Sequence, residues 1–107
     1  MVTVVFPSGR KQVVRYQLDE THAHFTSTVL GTVLARNFGV EELAKRALQR
    51  NRRVELAGFR LGTDDRLEAW CSLPLATLSP TEARFAIRTL AYEAHMLAEE
   101  LQREVSG

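Results

Sequence analysis

Three groups of residues in this chain are of types that can do chemistry, and each has a spacing that can be set against what that chemistry demands. Cys71 is the only cysteine and adjoins the only tryptophan, Trp70, in the stretch LEAWCSLPLATLSPTE that leads into an S-P-T-E helix start. A thiol close to a helix N-terminus is one way a reactive nucleophile is built, because the helix end favours the thiolate. His22 and His24 stand two apart, so on a strand both point to one side and could hold a metal ion. The run KRALQRNRR, Lys45–Arg53, is the concentrated positive charge of the chain and could meet phosphates.

The surroundings favour a plainer role for each. Arg66–Leu73 alternates, with Leu67, Ala69, Cys71 and Leu73 on one face and Arg66, Glu68, Trp70 and Ser72 on the other. Cys71 thus falls on the apolar face, where a free cysteine is a small hydrophobe. It also lies well before the cap Ser79, and no spacing brings a histidine beside it. The histidine pair lacks a third and fourth ligand, which Asp19, Glu20 or His95 could supply only through the fold. Polar turn residues entering a strand is the simpler reading, and no metal or cofactor is expected. Lys45–Arg53 has no interleaved aromatic platform and no helix-turn-helix or ribonucleoprotein signature. It reads as a solvated helix end that complements the macrodipole, with Asn51 as terminator.

Trp70 is the residue that does not fit its face. Arg66, Glu68 and Ser72 share that side, where a solvated antiparallel strand places polar groups. A tryptophan there is covered by a helix or by a second chain, and aromatic residues are favoured at such interfaces. No Gly-rich phosphate loop, nucleophile elbow, H-E-x-x-H or paired catalytic carboxylates occur. The expectation is therefore a binding module and not an enzyme.

The elements that must position these residues follow from length and pattern. With 107 residues the chain forms one domain, 1–107, around a single core. Its 45% hydrophobic and 25% charged content is that of a globular domain, and a net charge of +1 gives no dominant field for nucleic acid. A lone cysteine suits a reducing compartment, and no apolar run could cross a bilayer, so a cytoplasmic protein is expected. Arginine far outnumbers lysine, which occurs only as Lys11 and Lys45; that bias suggests a GC-rich bacterium.

Val2–Phe6 and Gln12–Leu18 are β-rich and flank the turn Pro7-Ser8-Gly9-Arg10, a hairpin signal. His24–Val33 is a third strand, with Phe25, Val29 and Val33 toward the core and Ser27 and Gly31 filling gaps; Gly31 could instead mark a bulge. Val40–Gln49 changes to helical period through Val40, Leu43, Ala44, Ala47 and Leu48. Arg53–Leu61 is a strand whose apolar phase shifts from Val54 and Leu56 to Phe59 and Leu61 across Ala57-Gly58, which predicts a bulge there. Gly62 through Asp65 turns the chain into Arg66–Leu73. Ser79, Pro80 and Glu82 then form a capping box, and Ala83, Ile87, Leu90, Ala94, Leu97 and Leu101 recur along a helix to about Val105. The order β-β-β-α-β-β-α predicts an α+β domain, a five-stranded antiparallel sheet with a long C-terminal helix packed on it.

With the elements in this order, Val40–Leu101 resembles the bacterial YbjN-like family, related in fold to type III secretion chaperones. The matching positions are Leu43, Ala47, Leu48, Asn51, Gly58, Phe59, Leu61, Leu73, Pro74, Leu78 and the stripe Leu90–Leu101. The resemblance implies a non-catalytic module, often dimeric, that holds a partner polypeptide, with the middle helix at the dimer interface. It departs at the start, where the family usually has a helix and this chain a strand from Val2; that predicts apolar surface left open or covered by a second subunit. The interface residues expected are Val40, Leu43, Ala47, Leu48, Phe59 and Trp70. The partner is a second copy, with another polypeptide beside it; a nucleic-acid-associated regulator using Lys45–Arg53, or a small thiol enzyme at Cys71, are the alternatives.

Overall fold

The computed structural model describes residues 1–51, 57–62 and 64–106. Five strands form one antiparallel sheet: β1 (Val2–Val5), β2 (Lys11–Leu18), β3 (His22–Leu30), β4 (Gly58–Leu61) and β5 (Leu67–Pro74), in the spatial order β1-β2-β3-β5-β4. The helices are α1 (Thr32–Arg36), α2 (Val40–Asn51) and α3 (Pro80–Ser106), with a 3-10 turn at Leu75–Thr77 before the last. This is the expected α+β architecture, with β3 and β5 as the central pair.

Local chemistry sets the connections. The β1–β2 hairpin closes on Phe6, whose N–H donates to the Arg10 carbonyl at 2.8 Å and whose carbonyl accepts from Gly9 at 2.8 Å. Gly9 has φ +88°, a region in which a Cβ is disfavoured. Asp65 takes the left-handed conformation that turns β4 into β5, an option open to aspartate because its short side chain tolerates it. Thr63, part of the turn read from the sequence, lies outside the described residues.

One expectation about the strands is corrected. The third strand was expected to run to Val33, but it ends at Leu30, and Thr32–Arg36 is a short helix. The β-branched residues around Gly31 read as strand, yet Gly31 breaks the ladder and the Ala35 N–H turns back to the Gly31 carbonyl at 2.9 Å. The pairing described from Gly58↔Trp70 through Leu61↔Leu67 is regular, and the Val54 and Leu56 side of the bulge expected at Ala57-Gly58 lies outside the described residues. The register shift falls in β3, between Thr28 and Leu30. Arg53, Val54 and Leu56, read as the start of the strand that ends in β4, lie outside the described residues.

All three helices contribute to a single core on one side of the sheet. Ala23, Phe25, Ser27 and Val29 of β3 and Leu67, Ala69 and Cys71 of β5 face it, with Val14 and Phe59 from the flanking strands. From α3 come Ala86, Leu90, Ala91, Ala94, Leu97, Ala98 and Leu101. The alanines let the helix axis approach the sheet, while each fully buried leucine contributes roughly 1.5–3 kcal/mol of transfer free energy. Ala83 and Ile87, expected in the stripe, are only half-buried, and Ala86 takes the inward position. The helix starts where expected: the Ser79 hydroxyl accepts the Glu82 N–H at 3.1 Å, with Pro80 as first helical residue. No helix among the described residues is long and apolar enough to cross a membrane.

Candidate functional site

Because the helices occupy one face, the other face of β3 and β5 is left open, and alternation places His22, His24, Thr26, Thr28, Glu68, Trp70 and Ser72 there. Trp70 is not covered by a helix. It pairs across the ladder with Thr26 on one side and Gly58 on the other, and Thr26 pairs in turn with Arg15. One row across the open face thus reads Arg15, Thr26, Trp70, Gly58. The missing side chain of Gly58 makes room for the indole: a Cβ there would stand 3.0 Å from Trp70 Nε1. The Arg60 guanidinium lies over the indole, 4.8 Å from the ring centroid, and its Nε donates to Glu68 Oε1 at 2.8 Å. The aromatic residue that the alternation put on a polar face is therefore flanked by a neighbouring glycine and an arginine guanidinium.

A second row, Gln17, His24, Ser72, carries a hydrogen-bonded chain that spacing alone did not reveal. His24 Nδ1 lies 2.7 Å from Ser72 Oγ and Nε2 lies 2.6 Å from Asp19 Oδ2. A serine, a histidine and a carboxylate in series are the parts of a hydrolytic relay, but that relay uses a buried carboxylate. Asp19 is exposed, and its other oxygen accepts the backbone N–H of Thr21 at 2.8 Å and of His22 at 2.7 Å. The arrangement is that of an Asx turn that closes β2 onto β3, with His24 and Ser72 clamping it to β5. Hydrogen bonding to His24, then to the Thr21 and His22 amides, holds the Asp19 carboxyl well below the usual carboxylate range. His22 stacks on His24, but no cluster of three metal-binding side chains exists among the described residues.

Cys71 points the opposite way from Trp70. It is 4% exposed in the core, and burial pushes its thiol up to about 11. Desolvation of the thiolate is the opposite of what a nucleophile needs, so the joint between β5 and α3 is structural.

Two arginines of the basic segment, Arg46 and Arg50, are engaged along α3, while Lys45 is exposed. Arg46 reaches Glu104 at 2.7 Å and Glu100 at 3.4 Å, and Arg50 reaches Glu100 at 3.1 Å and Glu93 at 3.8 Å. The Glu104 hydrogen bond raises the Arg46 pKa further. These two arginines clip α2 to α3 instead of presenting a phosphate-binding pair; Arg52 and Arg53 lie outside the described residues. Asn51 does more than end the helix. Its Oδ1 accepts the Phe59 N–H at 2.6 Å and its Nδ2 donates to the Phe59 carbonyl at 3.2 Å, so one amide satisfies both outward backbone groups of an edge-strand residue.

The six residues expected at an interface divide. Leu43, Ala47 and Phe59 are buried in the chain's own core. Val40 and Leu48 are 51% and 66% exposed, and with half-buried Ala44 they stand about 40° apart around α2 at the helical 100° per residue. The apolar arc of α2 is thus wider than the core uses, and Val40, Ala44 and Leu48 are its outer edge. Leu34 of neighbouring α1 is exposed too. Trp70 lies elsewhere, on the open sheet face. Tyr16 and Leu18, which follow Val14 in phase on the helix-side face of β2, are also uncovered.

With this geometry the comparison with solved structures is informative. The fold is shared with a known one. A chain in the crystal structure of the ExsC-ExsE complex superposes with a TM-score of 0.64, covering 94% of this chain and 74% of that chain at 13% sequence identity. At this identity the likeness shows the fold alone. It agrees with the α+β architecture expected from the sequence and does not single out the YbjN-like family. No protein-family model and no curated protein matches the chain.

Proposed function

We propose that the chain is a non-catalytic polypeptide-binding module of a bacterial cytosol that assembles as a homodimer through α2. The observation that carries the reading is the Val40–Ala44–Leu48 edge of that helix, an apolar stripe that the core leaves outside. Such a stripe, rimmed by Glu41 and Lys45, suits a self-complementary contact about a two-fold axis. The fold likeness to a chain found in a two-protein complex supports a polypeptide partner. The engagement of Arg46 and Arg50 with α3 carboxylates weighs against phosphate binding, and the buried thiol of Cys71 against a cysteine enzyme. Sedimentation equilibrium tests the assembly. The wild type is expected at twice its 12.1 kDa chain mass, and Leu48→Glu at the chain mass with unchanged circular dichroism. A wild type that stays at the single-chain mass at every concentration contradicts the dimer.

A further inference from the structure

The open sheet face has a chemistry of its own. Arg15, His24, Thr26, Arg60, Trp70 and Ser72 line a concavity of about 480 Å³ whose walls hold no carboxylate. The acidic groups beside it are already engaged, Asp19 on His24 and Glu68 on Arg60. Arg15 makes no ion pair among the described residues and stands in the same cross-strand row as Trp70. A guanidinium with five donors and no carboxylate partner, two strands (about 10 Å) along the row from an indole, is a site for a carboxylate with an apolar group a few residues away. At physiological salt, charges farther than about 8 Å are screened, so the acid must sit directly on Arg15 to count.

We propose that this face binds an extended acidic segment of a partner polypeptide, one carboxylate on Arg15 and an apolar side chain a few residues away against Trp70. The proposal rests on the polypeptide-binding reading but not on the dimer. An extended chain suits the site because its two groups lie in one row across three neighbouring strands, β2, β3 and β5. A single-stranded nucleic acid suits it less: the row Arg15, Thr26, Trp70, Gly58 carries one aromatic ring, where successive bases need a series of them.

Trp70 is the sole tryptophan, so its emission reports the site directly. The full chain is titrated with a synthetic peptide of alternating Glu and Leu, its Gln-Leu counterpart, and an oligothymidylate. The Glu-Leu peptide is expected to perturb Trp70 emission saturably and more weakly as salt rises. The Gln-Leu peptide is expected to bind about tenfold more weakly, and Arg15→Ala to lose about the same factor while Arg103→Ala, a surface cation elsewhere, loses none. Equal binding of the Glu and Gln peptides, or an Arg15→Ala variant that binds as the wild type does, overturns the proposal. Tighter binding of the oligothymidylate also overturns it, in favour of nucleic acid. A concentration-dependent change in Trp70 emission without peptide, parallel to a rise in mass, overturns it in favour of a second copy. Repeating the titration on Leu48→Glu separates the two readings, since peptide binding by that variant supports this site whether or not the wild type dimerises.

Discussion

The two faces of β3 and β5 are made of alternating residues of the same strands, yet they have opposite fates. Phe25, Ser27, Ala69 and Cys71 are buried under α3, while one residue away His24, Thr26, Trp70 and Ser72 face outward. The inward face is close-packed and apolar apart from Ser27, whose hydroxyl donates to the Val13 carbonyl at 2.7 Å and accepts from Gln12 Nε2 at 2.8 Å. The outward face is held by directional contacts instead: a cation over an indole, an arginine–glutamate pair and a histidine between a serine and an aspartate. One face holds the apolar core of the domain; on the other, Glu68 is buried beside Arg60, while His24, Thr26, Trp70 and Ser72 are half-buried. That separation is what a binding module needs, because the surface that evolves toward a partner is not the surface that folds the chain.

Substitutions on adjacent residues test the separation most sharply. Phe25→Ala is expected to cost about 3–5 kcal/mol in a denaturant titration, by removing a buried ring from the centre of the core. Thr26→Ala, its neighbour on the other face, is expected to stay within about 0.5 kcal/mol of the wild type. Comparable losses at both would mean that the outward face is packed after all. Asn51→Ala is expected to cost about 1–3 kcal/mol and to speed amide exchange at Phe59, since the N–H and carbonyl of a buried edge residue lose their partner. Unchanged exchange at Phe59 would remove the clamp from the account.

The smallest effect belongs to the outward face. The Asp19 carboxyl is held below its ordinary value in the folded state, so its contribution is fully present above about pH 4 and fades as pH falls further. Asp19→Asn should flatten that acid limb of the stability curve while leaving neutral stability little changed. An acid limb identical to that of the wild type would detach Asp19 from His24.

What was legible in the sequence was whatever depends on period and on local chemistry. The Ser79-Pro80 start of α3, the Leu90–Leu97–Leu101 stripe and the alternation that sends Cys71 inward are properties of neighbouring residues, and they set the α+β class. The α1 helix was hidden because Thr32 and Val33 are β-branched and only one helical turn follows them, too short for a 3.6-residue period to emerge. Asn51 on Phe59, Arg46 on Glu104 and Asp19 with His24 and Ser72 join residues far apart in the chain, or fix a side-chain direction that spacing leaves open. For the same reason the basic run looked like a surface feature: its carboxylate partners lie in α3, about fifty residues on. Leu43 and Leu48 belong to one apolar arc, and nothing in that arc says where the core stops and the free stripe begins.

Cys71 and Trp70 are neighbours on β5, one on each face, and a paired accessibility measurement on them tests the separation most directly. In native protein held at single-chain mass by Leu48→Glu, a thiol reagent should modify Cys71 only as fast as the chain unfolds, while acrylamide quenches Trp70. Rapid labelling of Cys71 in the folded state, or a Trp70 that acrylamide does not reach, would contradict a sheet with one buried face and one open one.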